Sequence, residues 1–349
     1  MSSRPVRLGR RVLGAGPCVV VAEAGVNHNG RLDLARRLVD AAAACGADAV
    51  KFQVFDPDLL VTAGAGRAPY QRRAGASTQR EMLRALMLPP GALGSLARHA
   101  RARRIGFLVT PFDLPSLDAV VAAGVPAIKL GSGEVTNLPL LRAASRSGRP
   151  VLLSTGMASL AEIDVAVDAC RRARAAGLAL FHCVSAYPAP LGQMNTRAVP
   201  AMAARYGLPV GLSDHSPGVA ASAAAVALGA AAIEKHLTLD KTMDGPDHAA
   251  SLDPGEFREL VRIVREVEAS LGDGVKRCMP AERGNVRHVR RSLVAAVDIP
   301  KGRVIRAAAL VTKRPAGGIP SADVDRVVGR RARRDIRADE VLTWRMVEA

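Results

Sequence analysis

A regular alternation between residues 18 and 271 constrains this chain more than any other feature. Short apolar runs read as strands: CVVVAEAG (18–25), AVKFQ (49–53), GFLVTPF (106–112), AIKLGSG (127–133), VLLSTG (151–156), LALFHCV (178–184), VGLSDH (210–215) and AAIEKHLTL (231–239). Longer Ala-rich amphipathic segments lie between and after them, the clearest at 32–45, 91–103, 159–175, 219–228 and 254–271. Eight strand–helix units in roughly 250 residues match a closed (β/α)8 TIM barrel better than an open sheet.

The polar residues of these runs sit near the carboxyl ends. They are Glu23 and Asn27, Lys51 and Gln53, Thr110, Lys129 with Ser132 and Glu134, Ser154 and Thr155, His182 and Ser185, Ser213 with Asp214 and His215, and Glu234 with His236. In a barrel those ends converge on one mouth, where the active sites of this fold lie. Lys51 and Lys129 weigh most, because a lysine on a buried strand is costly without a partner or a ligand. With Thr110, Ser132, Ser154, Ser213 and the glycine-flanked amides of GSGE and STG, they suit a phosphate or carboxylate ligand. Each hydroxyl taken alone reads equally well as a helix cap.

Glu23, Glu134 and Glu234 supply a general base, an orienting carboxylate, or ion-pair partners for the lysines. His215 and His236 end two successive strands. Two imidazoles so placed can hold a divalent metal, and two satisfied structural histidines fit the same spacing. Asp247 and His248 follow the eighth strand on a loop of turn residues, placed to touch a substrate or to face solvent.

Composition narrows the function classes. The formal charge of +17 raises nucleic acid, but the arginines are scattered along helix-like segments such as 98–104 and 171–174, and only 3% of the chain is aromatic. Without aromatics interleaved for base stacking, a solvated basic surface that draws in an anionic substrate is the better reading, and no nucleic-acid partner is expected. Five widely spaced cysteines with no CxxC pair indicate neither a disulfide framework nor a zinc knuckle and fit the cytoplasm. The N-terminal MSSRPVRLGRRVLGAG has no apolar signal region, and no run approaches the roughly 18 apolar residues of a membrane span.

After Gly272 the alternation stops. Residues 1–272 read as the barrel domain, 273–291 as a polar linker, and 292–349 as a small β-rich module built from SLVAAVDIPKGRVI, LVTKRP, VVGRRARRDI and EVLTW. From residue 273 onward there are 18 Lys or Arg against 9 Asp or Glu, which makes this end especially basic.

Taken together, AEAGVNHNG, AVKFQ, TPF, KLGSGE with TNLPLL, LSTGMA, HCVSAYP, GLSDH, IEKHLTLD, GPDH and KRPAGGI resemble the N-acetylneuraminate (sialic acid) synthase family. That family includes legionaminate and pseudaminate synthases and spore-coat polysaccharide enzymes. The resemblance runs from about Cys18 to Trp344. It implies an enzyme that condenses phosphoenolpyruvate with an open-chain N-acetylmannosamine-type sugar, releasing phosphate and a nonulosonic acid. It also implies a C-terminal module similar to type III antifreeze protein (a β-clip), which reaches over the partner's barrel in a domain-exchanged homodimer.

By the same resemblance, His215 and His236 would ligate Mn²⁺, with Mg²⁺ or Co²⁺ as alternatives, and would count with Glu23 and Glu134 as catalytic. Lys51, Thr110, Lys129, Ser132, Ser154 and Ser213 would hold phosphoenolpyruvate. Glu134 would move a proton or activate water, and Glu23 would orient the sugar. Gln53, Tyr187 and Asp247 would bind sugar hydroxyls, and Arg314 of the partner's module would meet the acetamido group. The chain departs from the family at Ser185 and Ala74, where relatives often carry Asn, and at Val109, where Ser is usual. The first two bear on the choice of sugar, and 2,4-diacetamido-2,4,6-trideoxymannose, which would make the chain a legionaminate synthase, is the alternative substrate. A non-catalytic carbohydrate-binding homologue is disfavoured by the intact His215, His236, Lys129 and Glu134.

Overall fold

The computed structural model describes residues 6–8, 11–66 and 78–348. The described residues form two compact units, 1–272 and 273–349. In the first, the eight expected strands are β1 (Val19–Gly25), β2 (Ala49–Val54), β3 (Gly106–Pro111), β4 (Ile128–Leu130), β5 (Val151–Ser154), β6 (Leu178–Cys183), β7 (Val210–Asp214) and β8 (Ala232–His236). Each pairs in parallel with its sequence neighbours, and β8 pairs with β1, so the barrel is closed.

Closure follows from how the two faces of each strand are used. Val20, Ala22, Val50, Val109, Leu153 and Leu212 face outward into a large aliphatic core shared with the helices. Their alternates Val19, Val21, Ala49, Leu108, Leu152 and Ala179 fill the barrel interior. Most interior positions are small, and Phe181 is the bulky exception. Gly211 makes room for it, since a Cβ there would lie 2.9 Å from the Phe181 ring. At the amino-terminal end, Arg7–Leu8 pairs antiparallel with Arg11–Val12, and Leu8 and Leu13 join the interior core as a plug.

Side chains at the strand–helix junctions start several helices. Asp113, Asn137, Ser159 and Asp253 accept backbone N–H bonds at the starts of Leu114–Ala122, Leu138–Arg146, Leu160–Arg172 and Pro254–Leu271. The fourth strand is shorter than the run AIKLGSG. It ends at Leu130, and Ser132–Thr136 form a tight 3-10 turn that satisfies its amides locally. Among the described residues no helix is long and apolar enough to cross a membrane.

The second unit matches its β-rich reading with fewer regular strands than the sequence runs imply. β9 (Ser292–Ala295) pairs antiparallel with β10 (Leu310–Lys313), and most of the remaining pairing is through single bridges such as Ile299 with Ile336. Leu293, Ile299, Ile305, Ile319, Ile336 and Leu342 form its core. The VVGRRARRDI run begins inside a short helix, Val324–Val327. The stretch read as linker carries a helix, Arg283–Val289, whose residues are exposed except for a half-buried Val286.

Candidate active site

The alternation that packs the interior also builds the site. One residue step of two beyond the apolar layer, the same inward face presents Glu23, Lys51, Thr110, Lys129, Ser154, Ser213 and Glu234. These residues line a cavity of about 410 Å³ at the carboxyl ends of the strands.

Its floor is a balanced set of four buried charges. Lys51 Nζ lies 3.2 Å from Glu23 Oε2 and 3.4 Å from Glu234 Oε1, and donates to Thr110 Oγ1 at 3.1 Å. Lys129 Nζ donates to Ser154 Oγ at 2.5 Å, lies 3.6 Å from Glu234 Oε1, and stands 4.9 Å from the centre of the Phe181 ring. Ser213 donates to Glu234 Oε1 at 3.0 Å, and Gln53 Nε2 donates to Glu23 Oε1 at 2.8 Å. Burial alone would raise the Glu234 pKa, but Lys129 and Lys51 outweigh it and hold the carboxylate below its usual range. Burial raises Glu23 despite the opposing Lys51. Burial also disfavours both ammonium ions; it lowers Lys129, whereas Glu23 and Glu234 reverse the direction at Lys51.

The other part of the mouth is aromatic. His215 and His236 stand with ring centres 5.5 Å apart, and Tyr187 lies 4.1 Å from the first and 5.8 Å, edge-on, from the second. His215 Nδ1 donates to the Val184 carbonyl at 3.0 Å, so in the neutral ring the lone pair is on Nε2. His236 Nδ1 is buried with no hydrogen-bond partner and lies 3.9 Å from Asp247 Oδ2. Burial, and then Glu23, push the Asp247 carboxyl up to about 6.

The two imidazoles fit a divalent cation. One ring is oriented through its far nitrogen, as a ligating histidine requires, and the other keeps an unpartnered nitrogen in a buried place. Among the described residues no third His, Cys, Asp or Glu completes a ligand set with them, so oxygen atoms of water or substrate would complete the shell.

Twelve of the residues expected at the site line this one cavity: Glu23, Lys51, Gln53, Thr110, Lys129, Ser132, Ser154, Tyr187, Ser213, His215, His236 and Asp247. Two do not. Ser132 and Gly133 form the wall on their turn, whereas Glu134 accepts a 2.6 Å bond from Asn137 Nδ2 and is outside the lining. Burial raises the pKa of its carboxyl. Arg314 follows β10 in the second unit, where it is exposed.

Of the departures, Ser185 lines the cavity, Val109 faces the outer aliphatic core and cannot touch a ligand, and Ala74 lies outside the described residues. Sequence reasoning named Glu234 only as one of three carboxylates, and it proves to be the shared partner of both lysines. Phe112, Met157 and Cys183 also line the cavity. The sequence signal for Cys183 is strand alternation, since it stands two residues after inward-facing Phe181.

Comparison with known proteins agrees with this arrangement. The sequence matches the NeuB family over residues 38–276 and the SAF domain over residues 290–348. It is 43% identical to the N,N'-diacetyllegionaminic acid synthase of Campylobacter jejuni, over 93% of this chain and 98% of that protein. It is 35% identical to human N-acetylneuraminate-9-phosphate synthase, over 97% and 95% of the two chains. Among solved structures, the N-acetylneuraminic acid synthetase of Leptospira borgpetersenii superposes with a TM-score of 0.72 at 33% identity, covering 81% of this chain and 95% of that one. A closed barrel with its polar residues gathered at one mouth, followed by a SAF domain, is therefore the architecture of an enzyme, and this chain belongs to the NeuB family.

Proposed function

We propose that this enzyme condenses phosphoenolpyruvate with open-chain 2,4-diacetamido-2,4,6-trideoxymannose, releasing phosphate and N,N'-diacetyllegionaminate. One observation carries the reaction class. Two buried lysines, backed by hydroxyls and sharing one carboxylate, face two imidazoles across a single cavity. Higher identity to a legionaminic acid synthase than to a neuraminate-9-phosphate synthase supports the choice of sugar.

In this reading Lys51 and Lys129, with Thr110, Ser132, Ser154 and Ser213, hold the phosphate and carboxylate of phosphoenolpyruvate. Their positions are fixed before the ligand arrives, so little reorganisation is needed as charge shifts during reaction. Gln53, Tyr187 and Asp247 bind the sugar hydroxyls, and Glu23, held by Gln53, orients the chain. A divalent cation at His215 and His236, most simply Mn²⁺, would polarise the sugar aldehyde. C3 of phosphoenolpyruvate forms a bond to the aldehyde carbon, whose oxygen takes up a proton; water adds at C2 and gives up a proton, and the C2–O bond to phosphate breaks as the new C2 hydroxyl passes its proton to the departing phosphate and becomes the keto group. Glu134 would take the proton from that water, which requires its carboxylate to leave Asn137 and enter past Gly133.

The same reading includes a homodimer in which Arg314 of a second copy meets an acetamido group. Mixing an Arg314→Ala chain with a His236→Ala chain should restore activity in verified heterodimers, and no rescue would refute the exchange. The reaction itself is tested by phosphate release with Mn²⁺, phosphoenolpyruvate and a panel of sugars, with mass analysis of products. Fastest turnover with the diacetamido sugar is expected. Preference for N-acetylmannosamine would shift the assignment to N-acetylneuraminate, and no sugar-dependent phosphate release would refute the reaction class.

A further inference from the structure

Behind the two histidines lies a second set of charges that the cavity does not use. On β7 and β8, Ser213 and Glu234 face each other inside the barrel, and His215 and His236 reach the mouth. Between these layers, Asp214 and Lys235 are direct partners in the parallel ladder, and neither lines the cavity. Asp214 instead meets Ser222 of the helix Ala220–Ala227.

The pair is almost completely buried, with side-chain exposures of 0% for Asp214 and 2% for Lys235. Lys235 Nζ donates to Asp214 Oδ2 at 2.8 Å and to the Ser216 carbonyl at 2.6 Å. Asp214 Oδ1 accepts from Ser216 N at 2.8 Å and from Ser216 Oγ at 2.7 Å, while Oδ2 also accepts from Ser222 Oγ at 2.6 Å. All five bonds end on residue 214 or 216, immediately before and after His215.

A buried ion pair is a poor source of net stability, because desolvation offsets most of its attraction and apolar residues of equal volume often serve as well. Geometry gives this one a different use. Asp214 bends the chain after β7 into a local turn around His215, and Lys235 ties the carbonyl of that turn to β8 one residue before His236. Each charge is thus one residue from an imidazole, and the pair spans the two strands that set the distance between the rings. We infer that Asp214 and Lys235, with Ser216 and Ser222, form a positioning clamp that sets the spacing and orientation of His215 and His236 for a shared divalent cation. The inference rests on the proposed role of those histidines. It concerns positioning residues only, since neither charge reaches the substrate cavity.

The test compares wild-type protein with a size-matched Asp214→Leu/Lys235→Met double variant and with the mild Ser222→Ala. Three quantities are read: melting temperature, Mn²⁺ affinity from the electron paramagnetic resonance of free Mn²⁺, and the imidazole ¹⁵N spectrum of the metal-free protein. The double variant should melt within about 5 °C of wild type. Its Mn²⁺ affinity should fall about 10- to 100-fold, the range seen when supports of metal ligands are removed. His215, no longer held against the Val184 carbonyl, should lose its single Nδ1–H tautomer, and Ser222→Ala should shift both readouts in the same direction, the affinity by less than tenfold.

A folded double variant with wild-type affinity and tautomer overturns the clamp. Affinity loss that appears only together with a collapse in melting temperature overturns it as well. If the double variant does not fold, Ser222→Ala decides, and unchanged affinity and tautomer there refute the inference. If wild type takes up no Mn²⁺, or His236→Ala takes it up equally, the cation reading fails instead. The tautomer spectra then decide the clamp on their own.

Discussion

On the β2 to β5 side of the mouth every charged or hydroxyl group that lines the cavity has a partner in hand, whereas on the β8 to β1 side two buried polar atoms have none. Lys51 and Lys129 are each met by a carboxylate and a hydroxyl. Across the barrel, Glu234 Oε2 and His236 Nδ1 are buried without hydrogen bonds, and Glu23 Oε2 is met only by the Lys51 ammonium at 3.2 Å. Leaving such an atom unpaired costs about 1–3 kcal/mol. The difference separates two kinds of binding. The lysine side is a stiff anion cradle whose own charges are balanced, and the histidine side has donor atoms free to take a ligand that brings positive charge.

Substitutions that remove one side and spare the other would break this comparison if both sides responded alike. His236→Ala should have the largest effect, lowering turnover by at least about 10³-fold through lost activation of the aldehyde; a turnover within tenfold of wild type, or unchanged metal dependence, would sink the cation assignment. Lys129→Met should cost about 10²- to 10³-fold in kcat/KM for phosphoenolpyruvate, the scale of removing one preorganised charge partner. Steady-state kinetics that show the loss on the sugar's KM instead would move the anion elsewhere.

Glu134→Gln should lower kcat by roughly 10²-fold with KM values little changed, as removal of a proton carrier does. Unchanged kcat would mean that Glu134 stays on Asn137 throughout and that another group handles the water. The last effect is on stability, spares turnover at neutral pH, and concerns an imidazole outside the mouth. Burial lowers the His28 pKa to about 4 from an ordinary 6.5, and its Nε2 has no partner. Below pH 6.5 the unfolded chain binds a proton that the folded chain refuses, so stability falls as pH drops from 6.5 toward 4, by up to roughly 3 kcal/mol. Thermal melts of wild type and His28→Gln at pH 7 and pH 4.5 measure this: the wild type should lose more on acidification, and equal losses would contradict it.

The sequence was most informative where one period governs many residues. Inward alternation carries Val19, Val21 and Glu23, or Ala127 and Lys129, onto one face, so both the barrel and most of the mouth are legible in the sequence. Relations across the barrel were not legible. Glu234 gathers Lys51, Lys129 and Ser213, residues far apart in sequence that only the closed sheet brings together. The tight turn at Ser132–Thr136 is not legible either, because AIKLGSG reads as one strand until the backbone closes on itself after Leu130 and hands Glu134 to Asn137. The two-residue strands that plug the barrel floor are too short for any periodic signal.

The most direct measurement is calorimetric binding of Mn²⁺ and of phosphoenolpyruvate, each to wild-type, Lys129→Met and His236→Ala protein. The two-sided mouth predicts that Lys129→Met loses phosphoenolpyruvate and keeps Mn²⁺, while His236→Ala loses Mn²⁺ and keeps phosphoenolpyruvate. Loss of both ligands in either folded variant, or loss of neither in both, would contradict it.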